Sequence, residues 1–158
     1  MLKCSFEDGG EGSLRHVVVH VLAVKDNKIL LVKRSEKLLE GGKWGFPGGF
    51  VDRDETLPQC ALRELMEETG YEGTIKAFFR VNSNPNRRND DGRQNIAHEW
   101  LVEVGEKTGE SDWEQTAVEL KDIDSLNEEM MAFDHYETVG YLKKYLEIKD
   151  LIFNQESE

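Results

Sequence analysis

The sequence is short of cysteine and of positive charge, and it lacks any long apolar run. Its two cysteines, Cys4 and Cys60, form no CxxC pair, so no zinc site is expected. A disulfide between them has no support in the sequence, and Cys60 is expected to be a small buried apolar residue. No run of about 18 apolar residues and no signal-peptide pattern occurs. We therefore expect a cytoplasmic protein with no membrane partner.

The charge balance is strongly acidic. Lysine and arginine number 20 against 32 aspartate and glutamate residues, which gives a net charge of -12. This balance argues against a nucleic-acid polymer as a partner, because contacts to a phosphate backbone require clustered cations. It does not exclude a small phosphorylated ligand, since a bound metal ion can neutralise the charge of such a ligand.

The composition is that of a globular domain. Hydrophobic residues make up 38% and charged residues 33% of the 158 residues, which is ordinary for one domain with a core. We expect residues 1–158 to form a single domain, with residues 1–13 as a polar arm or an edge strand and residues 154–158 as a polar tail. The sequence leaves open whether the chain forms a homodimer.

Apolar patterning predicts an α/β fold. Residues 15–24 are almost continuously apolar and predict a strand buried on both faces, with residues 29–33 as its hairpin partner. Further strands are predicted at 71–81, at 95–104 and around 117–120. In the first of these, the alternation places Ile75, Ala77, Phe79 and Val81 on one side of the strand.

Two helices are predicted after the last of these strands. A capping box at residues 125–128 predicts a short helix, and the apolar stripe from Tyr136 to Leu146 predicts a final one. Strands and helices in this order indicate a mixed sheet between helical layers. His16 and His20, on the first predicted strand, are expected to be structural.

The stretch from Gly49 to Tyr71 carries the strongest local signals. Thr56 and Gln59 form a capping box, Pro58 suits the first helical turn, and Gly70 suits the position after the last turn.

One face of this predicted helix brings together Glu64, Glu67 and Glu68. Like charges at this spacing weaken a helix by roughly 0.2–0.5 kcal/mol per pair. A divalent cation would remove that penalty, and Mg²⁺ takes oxygen ligands. The alternative is an acidic face that is only solvated.

The order of residues in this stretch resembles the signature of the Nudix hydrolases. The matching positions are Gly49, Glu55, Arg63, Glu64, Leu65, Glu67, Glu68 and Gly70. This stretch, residues 49–71, is called the box below. Residues 44–48, which lead into the box, are also similar to the family. Tyr71 stands where the family usually has an aliphatic residue. The resemblance implies an α/β/α sandwich in which the box forms a loop–helix–loop at one end of the sheet. It also implies metal-dependent hydrolysis of a pyrophosphate bond.

The resemblance also implies roles for single residues. It makes Glu64, Glu67 and Glu68 metal ligands, with the Gly48 carbonyl as a fourth, and Glu55 joins a further ion or acts through water. Arg63 would orient the carboxylates by ion pairing. The expected ion is Mg²⁺, for which Mn²⁺ can substitute. In this family the general base comes either from the box, where Glu64 is the candidate, or from a later loop with the candidates Glu103, Glu110 and Glu114, of which we favour Glu114.

Two further groups are candidates for substrate contact. Residues 82–94 contain no apolar residue except Pro85, and they hold a cluster of arginines that suits phosphate groups, namely Arg87, Arg88 and Arg93. The alternative is a solvated loop whose charge is balanced by neighbouring aspartates. Trp44 and Phe46 flank the start of the box, where they either belong to the core or line a base-binding pocket.

Three segments outside the box resemble the ADP-ribose pyrophosphatase branch of the family. They are residues 49–52, 83–85 and 132–135. This resemblance implies that the substrate is a nucleoside diphosphate linked to a second group, which is cleaved to a mononucleotide and a phosphorylated remainder. One alternative is a nucleoside triphosphate pyrophosphohydrolase that removes damaged nucleotides. Another is a non-catalytic nucleotide-sensing domain, against which the complete acidic set argues.

Overall fold

A mixed six-stranded sheet forms the centre of the computed structural model, which describes residues 2–89, 91–112 and 114–153. A separate hairpin at the N-terminal end pairs β1 (Leu2–Ser5) with β2 (Glu11–Leu14). The strands of the main sheet are β3 (Val17–Lys25), β4 (Lys28–Arg34), β5 (Trp44–Gly45), β6 (Tyr71–Asn82), β7 (Ile96–Lys107) and β8 (Gln115–Asp122).

The order of the sheet is β5-β4-β3-β7-β6, and β8 pairs with β4. The pairing of β3 with β7 is parallel, from Val17 opposite Ile96 to Val24 opposite Glu103, and the other pairings found among the described strands are antiparallel. The predicted mixed sheet is therefore confirmed. The predicted strands are present, although β7 runs on to Lys107 and β8 already begins at Gln115.

Two helices cover the two faces of the sheet. Helix α1 (Leu57–Thr69) buries Cys60, Ala61 and Leu65 against one face. Helix α2 (His135–Phe153) packs Val139 and Leu142 against the other. Strand β3 contributes to both cores because successive side chains of a strand point to opposite faces. The predicted α/β/α sandwich is thus confirmed. In the part of the chain that is described, no helix is long and apolar enough to cross a membrane.

The ends of α1 follow the sequence signals. The Thr56 hydroxyl oxygen accepts a hydrogen bond from the backbone N–H of Gln59, and the Gln59 side chain accepts one from the Thr56 N–H at 2.8 Å. Gly70 ends the helix with φ 73, a left-handed conformation that glycine adopts without strain. The predicted capping box and glycine end are confirmed, so the acidic face of α1 lies on a helix with defined ends.

Strand β6 does not keep its apolar residues on one side, so the prediction of a shared side is wrong. Register shifts against β7 fall between Ile75 and Ala77 and between Phe78 and Arg80. Ile75 packs with the core on the side of α1, whereas Ala77 and Phe79 pack with the core on the side of α2. The Val81 side chain is 44% exposed, and Asn82 is buried. A bulge of this kind reverses the faces of all later residues in a strand.

Two other expectations need correction or completion. The capping box at residues 125–128 starts no helix, so that prediction is wrong. A short 3₁₀ turn at Ile123–Ser125 precedes it, and the Asn127 side chain accepts hydrogen bonds from the N–H groups of Glu129 and Met130. These bonds close a turn at Asn127, and the Met130 carbonyl then accepts from the backbone N–H of Trp44 rather than continuing a helix. The expected arm is a hairpin of its own, and the expected tail at 154–158 lies outside the described residues.

Candidate active site

A cavity of about 450 Å³ opens at the end of the sheet where the loop before α1, helix α1 and the start of α2 meet. Six carboxylates line it, and these are Asp52, Glu64, Glu67, Glu68, Asp112 and Glu114. Three arginines line it as well, and these are Arg34, Arg87 and Arg93. The cavity therefore joins an acidic part, able to hold cations, to a part that suits an anionic ligand.

Two glycines let the backbone close on the acidic helix. The backbone N–H of Gly48 donates a hydrogen bond to Glu68 Oε2 at 2.8 Å. A Cβ atom at Gly48 would overlap the carbonyl oxygen of Val19, and a Cβ at Gly49 would overlap the carboxylate of Glu64. The glycine pair is therefore needed for the close approach of this loop to β3 and α1.

Glu68 is the most buried of the acidic residues that line the cavity. Its second oxygen, Oε1, accepts a hydrogen bond from Gln115 Nε2 at 2.7 Å. Burial raises the pKa of Glu68 to about 8, and the neighbouring carboxylates Glu64, Asp112 and Glu114 act in the same direction, against the hydrogen bond from Gly48. A positive charge next to Glu68 would favour its ionised form.

Arg63 connects three other carboxylates of the box. Its Nη1 donates to Glu64 Oε1 at 2.9 Å and to Glu67 Oε2 at 3.0 Å, and its Nε and Nη2 bind the carboxylate of Glu55. The hydrogen bonds from Arg63 lower the pKa of Glu55 to about 2. Glu55 is therefore ionised and held by an arginine in this arrangement.

The predicted metal ligands lie on one side of α1 but do not surround a common point. Among the described residues, no three Asp, Glu, His or Cys side chains converge as metal ligands would. Glu64 and Glu67 face Arg63, whereas Glu68 is held by Gly48 and Gln115.

The chemistry of this donor set nevertheless fits a hard divalent ion. The donors are all oxygens, which Mg²⁺ prefers, and Glu68 is buried among like charges. Gln115 Oε1 is also buried without a hydrogen-bond partner in the described chain. Arg63 binds one oxygen of Glu64 and one of Glu67, which leaves the second oxygen of each without a contact to Arg63. The ligand assignment itself stays a prediction.

The three arginines of the predicted loop cluster have different surroundings. Arg87 is almost fully buried, and its Nε and Nη2 bind the carboxylate of Asp134 at 2.9 and 2.6 Å. Arg88 forms an exposed ion pair with Glu128 and does not line the cavity. Arg93 lines the cavity. Arg87 thus uses most of its hydrogen-bonding capacity within the protein, and Arg93 is better placed for a ligand.

Arg34 is a cavity residue that the sequence analysis did not single out. It ends β4, its Nε donates to the carbonyl of Leu39 at 2.8 Å, and its guanidinium lies 5.0 Å from the ring centroid of Phe133. Burial lowers the pKa of Arg34, although Glu68 and Glu114 raise it. Lys33 and Arg34 at the end of a strand form no motif that indicates ligand binding, so the sequence could not have identified Arg34 as a cavity residue.

Trp44 and Phe46 both belong to the core, but only Phe46 lines the cavity. Lys121 Nζ lies 3.9 Å from the centroid of the Trp44 ring. Phe46 stacks on His135 with the ring centroids 4.8 Å apart. The core alternative is therefore favoured for Trp44, and a ligand contact remains a prediction for Phe46.

His135 is a second cavity residue that the sequence analysis did not assign. Its Nδ1 accepts a hydrogen bond from the backbone N–H of Phe46 at 3.2 Å, and burial holds its pKa well below the usual value. The ring is therefore neutral, with its proton on Nε2. His20, expected to be structural, lies beside it with a centroid distance of 4.6 Å and lines the cavity too.

The candidates for the general base differ in whether they line the cavity. Glu114 lines the cavity, close to the acidic face of α1. Glu103 is exposed and pairs with Lys76, and neither it nor Glu110 lines the cavity. The geometry thus favours Glu114 over the other two later residues, while Glu64 of the box also lines the cavity.

An acidic helix preceded by a glycine loop, at one end of a mixed sheet between two helices, is the arrangement of a Nudix domain. The chain belongs to the NUDIX family, whose domain matches residues 14–142. Nudix hydrolases generally use divalent metal ions.

Several curated relatives are similar to this chain. The ADP-ribose pyrophosphatase of Methanocaldococcus jannaschii is 35% identical over 136 residues, which cover 85% of this chain and 75% of the relative. The ADP-ribose pyrophosphatase of Bacillus subtilis is 32% identical over 90% of this chain and 81% of the relative. The CTP pyrophosphohydrolase of Escherichia coli is 36% identical over a shorter region, 54% of this chain and 60% of the relative.

Solved structures support the same fold. The NUDIX domain of Shewanella oneidensis NrtR, in complex with ADP ribose, superposes with a TM-score of 0.71 at 26% identity and covers 85% of this chain and 90% of that chain. A NUDIX hydrolase from Nitrosomonas europaea has the same TM-score and identity, over 88% of this chain and 74% of that chain.

Proposed function

We propose that this protein hydrolyses the pyrophosphate bond of a nucleoside diphosphate linked to a second group, with ADP-ribose as the model substrate. The relatives named ADP-ribose pyrophosphatase, which align over most of the chain, carry the proposal. The cavity supports it, because it combines a set of carboxylates with arginines and aromatic rings. The products are a mononucleotide and a phosphorylated remainder.

The carboxylates of the box have the metal-binding role in this proposal. Glu64, Glu67 and Glu68 are the proposed ligands, with the Gly48 carbonyl beside them and Glu55 acting on a further ion or through water. A bound Mg²⁺, or Mn²⁺ in its place, supplies Lewis-acid stabilisation of the phosphoryl oxygens and lowers the pKa of bound water.

The other residues act on the substrate and the water. Glu114 is the proposed general base, which takes the proton from the attacking water, with Glu64 as the alternative. Arg34 and Arg93 line the cavity and are the proposed ligands of the diphosphate. Arg63 keeps the carboxylates of Glu55, Glu64 and Glu67 in place.

A substrate panel tests the proposal. Wild-type protein with Mg²⁺ is incubated with ADP-ribose, other nucleoside diphosphate derivatives and nucleoside triphosphates, and kcat/KM is compared. The highest value is expected for ADP-ribose or a close derivative, with AMP and ribose 5-phosphate as products. No turnover of any member, with Mg²⁺ or Mn²⁺, would overturn the proposal.

A nucleoside triphosphate pyrophosphohydrolase is the second candidate, favoured by the similarity to the Escherichia coli CTP pyrophosphohydrolase. Release of inorganic pyrophosphate from a triphosphate at a higher kcat/KM than that for ADP-ribose would support it. The complete set of box carboxylates argues against a non-catalytic sensor. A homodimer, the absence of polymeric nucleic acid and membrane partners, the single domain over residues 1–158 and the cytoplasmic location stay predictions.

A further inference from the structure

Gln115 reaches the acidic helix from strand β8. It is the first residue of β8 and pairs with Arg34 next to a register shift in β4. Its side chain is buried, and its Nε2 donates to Glu68 Oε1 at 2.7 Å. We propose that Gln115 is a positioning residue, which fixes the carboxylate of Glu68 in the orientation needed to bind the divalent ion. This inference rests on the metal-binding role given to Glu68 in the proposed function.

The two hydrogen bonds on Glu68 together determine its orientation. Gly48 donates to Oε2 from the loop before α1, and Gln115 donates to Oε1 from β8. A rotation of the carboxylate plane would lengthen both bonds. Each carboxylate oxygen has two lone pairs, so one on each oxygen remains for an ion. Gln115 is therefore one of two supports that set the direction of these lone pairs.

The amide oxygen of Gln115 indicates that this side chain does more than fill space in the core. Its Oε1 is buried and has no hydrogen-bond partner among the described residues. A buried acceptor without a partner costs about 1–3 kcal/mol, whereas an apolar side chain of the same size would avoid that cost. The reverse orientation of the amide would set its oxygen against the Glu68 carboxylate, so Nε2 must be the atom that faces Glu68.

A neutral donor suits this position better than a cation. Glu55, Glu64 and Glu67 are held by Arg63, whose positive charge beside these carboxylates disfavours a second cation nearby. Gln115 favours the ionised carboxylate by hydrogen bonding but adds no charge. Among the described residues, no cationic side chain forms an ion pair with Glu68.

The test uses Gln115→Leu, which keeps a similar size and removes the donor. Mn²⁺ binding to the ion-free full chain is measured by the electron paramagnetic resonance signal of free Mn²⁺, without any substrate. The dissociation constant is expected to rise about 10- to 100-fold, as is typical when an outer-shell partner of a ligand is lost. Thr116→Val is the matched control, since Thr116 lies next on β8 and its hydroxyl donates to the Lys33 carbonyl. Its dissociation constant is expected to stay within about twofold of that of wild type.

A double-mutant cycle separates positioning from a general loss of structure. Glu68→Gln alone should raise the Mn²⁺ dissociation constant. Adding Gln115→Leu to this variant should raise it less than about twofold further, because Gln115 affects ion binding only through Glu68. Excess Mg²⁺ should also restore most of the kcat of Gln115→Leu. If Gln115→Leu does not fold, Gln115→Met has a similar reach and replaces it.

The outcomes distinguish this inference from the proposed function. Wild-type Mn²⁺ affinity in Gln115→Leu overturns the positioning role, and so does an equal further loss in the double variant. If wild type binds Mn²⁺ and Gln115→Leu loses that binding, yet no nucleotide is hydrolysed, the positioning role stands and the proposed function falls. If wild type binds no Mn²⁺, the positioning role is overturned. In that case the protein could be a nucleotide hydrolase only if it hydrolysed the substrate without an added ion.

Discussion

At the scale of single residues, the carboxylate of Glu68 has the least ordinary surroundings. It is buried, two neutral groups donate to it, and its pKa is raised to about 8. Burial of a carboxylate that lacks a cationic partner costs free energy. Such an arrangement is common at functional sites, where a ligand or ion supplies the missing charge.

The first prediction concerns Glu68→Gln. The change removes a proposed ligand oxygen, and Mg²⁺-dependent kcat/KM for ADP-ribose is expected to fall by more than about 100-fold, since outer-shell partners alone are worth 10- to 100-fold. The Gln115 amide can turn over to accept from the new amide, so the melting temperature should change little. Glu106→Gln, an exposed position on β7, is the control. Unchanged turnover in Glu68→Gln would remove the metal-binding role from this residue.

The second prediction concerns pH and Asp134. Burial raises the pKa of Asp134, but the hydrogen bonds from Arg87 and Asn82 outweigh it and bring the pKa below its usual value of 3.8. A lowered pKa contributes stability that is complete above the unfolded value and lost as the pH falls through the folded value. The stability advantage of wild type over Asp134→Asn should therefore be largest above about pH 4 and shrink below it.

Urea unfolding at several pH values measures this advantage. Asp124→Asn is the control, because the Asp124 side chain is 76% exposed. A constant difference between wild type and Asp134→Asn from neutral pH down to about pH 2, well below the usual range for aspartate, would show that the ion pair of Asp134 with Arg87 does not control acid stability.

At the scale of elements, the loop after β6 is attached to the rest of the domain at several points. The ion pair of Arg87 with Asp134 joins it to the start of α2, and Asn82 donates to the same carboxylate at 2.7 Å. Arg15 donates to the carbonyls of Ser83 and Gln94 at the two ends of the loop. The loop therefore has a defined position beside the cavity, whereas its composition left open both a substrate-contact loop and a solvated one.

The third prediction compares the three arginines of this loop. Arg87→Ala leaves Asp134 buried without its partner, so stability should fall by about 3–5 kcal/mol and KM for ADP-ribose should rise. Arg88→Ala breaks an exposed pair and should cost less than about 1 kcal/mol, with KM unchanged. Arg93→Ala should raise KM with little loss of stability. Chemical unfolding and steady-state kinetics measure the two effects, and equal KM values for all three variants would indicate a loop without substrate contact.

The sequence predicts the ends of helix α1 correctly, but it does not predict which residues of strand β6 share a side. The caps of α1 and its acidic face depend on residues within one turn of each other, so the sequence contains the complete signal. The bulge in β6 depends on its pairing with β7, where Arg80 lies opposite the buried Glu99. Arg34 and His135 line the same cavity only through tertiary packing. No local pattern marks Arg34, and the resemblance of residues 132–135 to the ADP-ribose pyrophosphatase branch does not indicate that the His135 ring lines the cavity.

At the scale of the whole molecule, an excess of negative charge favours cation binding. The net charge is -12, and six carboxylates line one cavity. Repulsion among them weakens the folded state, and an ion that binds only the folded state relieves it. Ion binding should therefore be visible as a gain in stability even without substrate.

The fourth prediction follows from this charge distribution. Protein freed of metal by a chelator should gain about 2.7 kcal/mol in unfolding free energy when Mg²⁺ is added to 100 times its dissociation constant. Differential scanning calorimetry with and without Mg²⁺ measures the shift, and Na⁺ at equal ionic strength is the control for screening. Glu68→Gln should show a smaller shift. A shift of the same size with Na⁺ would mean that general screening, and not a specific site, is responsible.

The parallel pairing of β3 with β7 also determines when the candidate active-site cavity can form during synthesis. β3 can pair with β4, the next strand, soon after synthesis. Its parallel partner β7, where Ile96 lies opposite Val17, leaves the ribosome much later. Closing so long a segment is entropically costly and slows folding. The box helix, made in between, has its caps early but no opposite wall until β7 and β8 arrive. A nascent chain that ends before β7 would therefore present the acidic helix without the cavity.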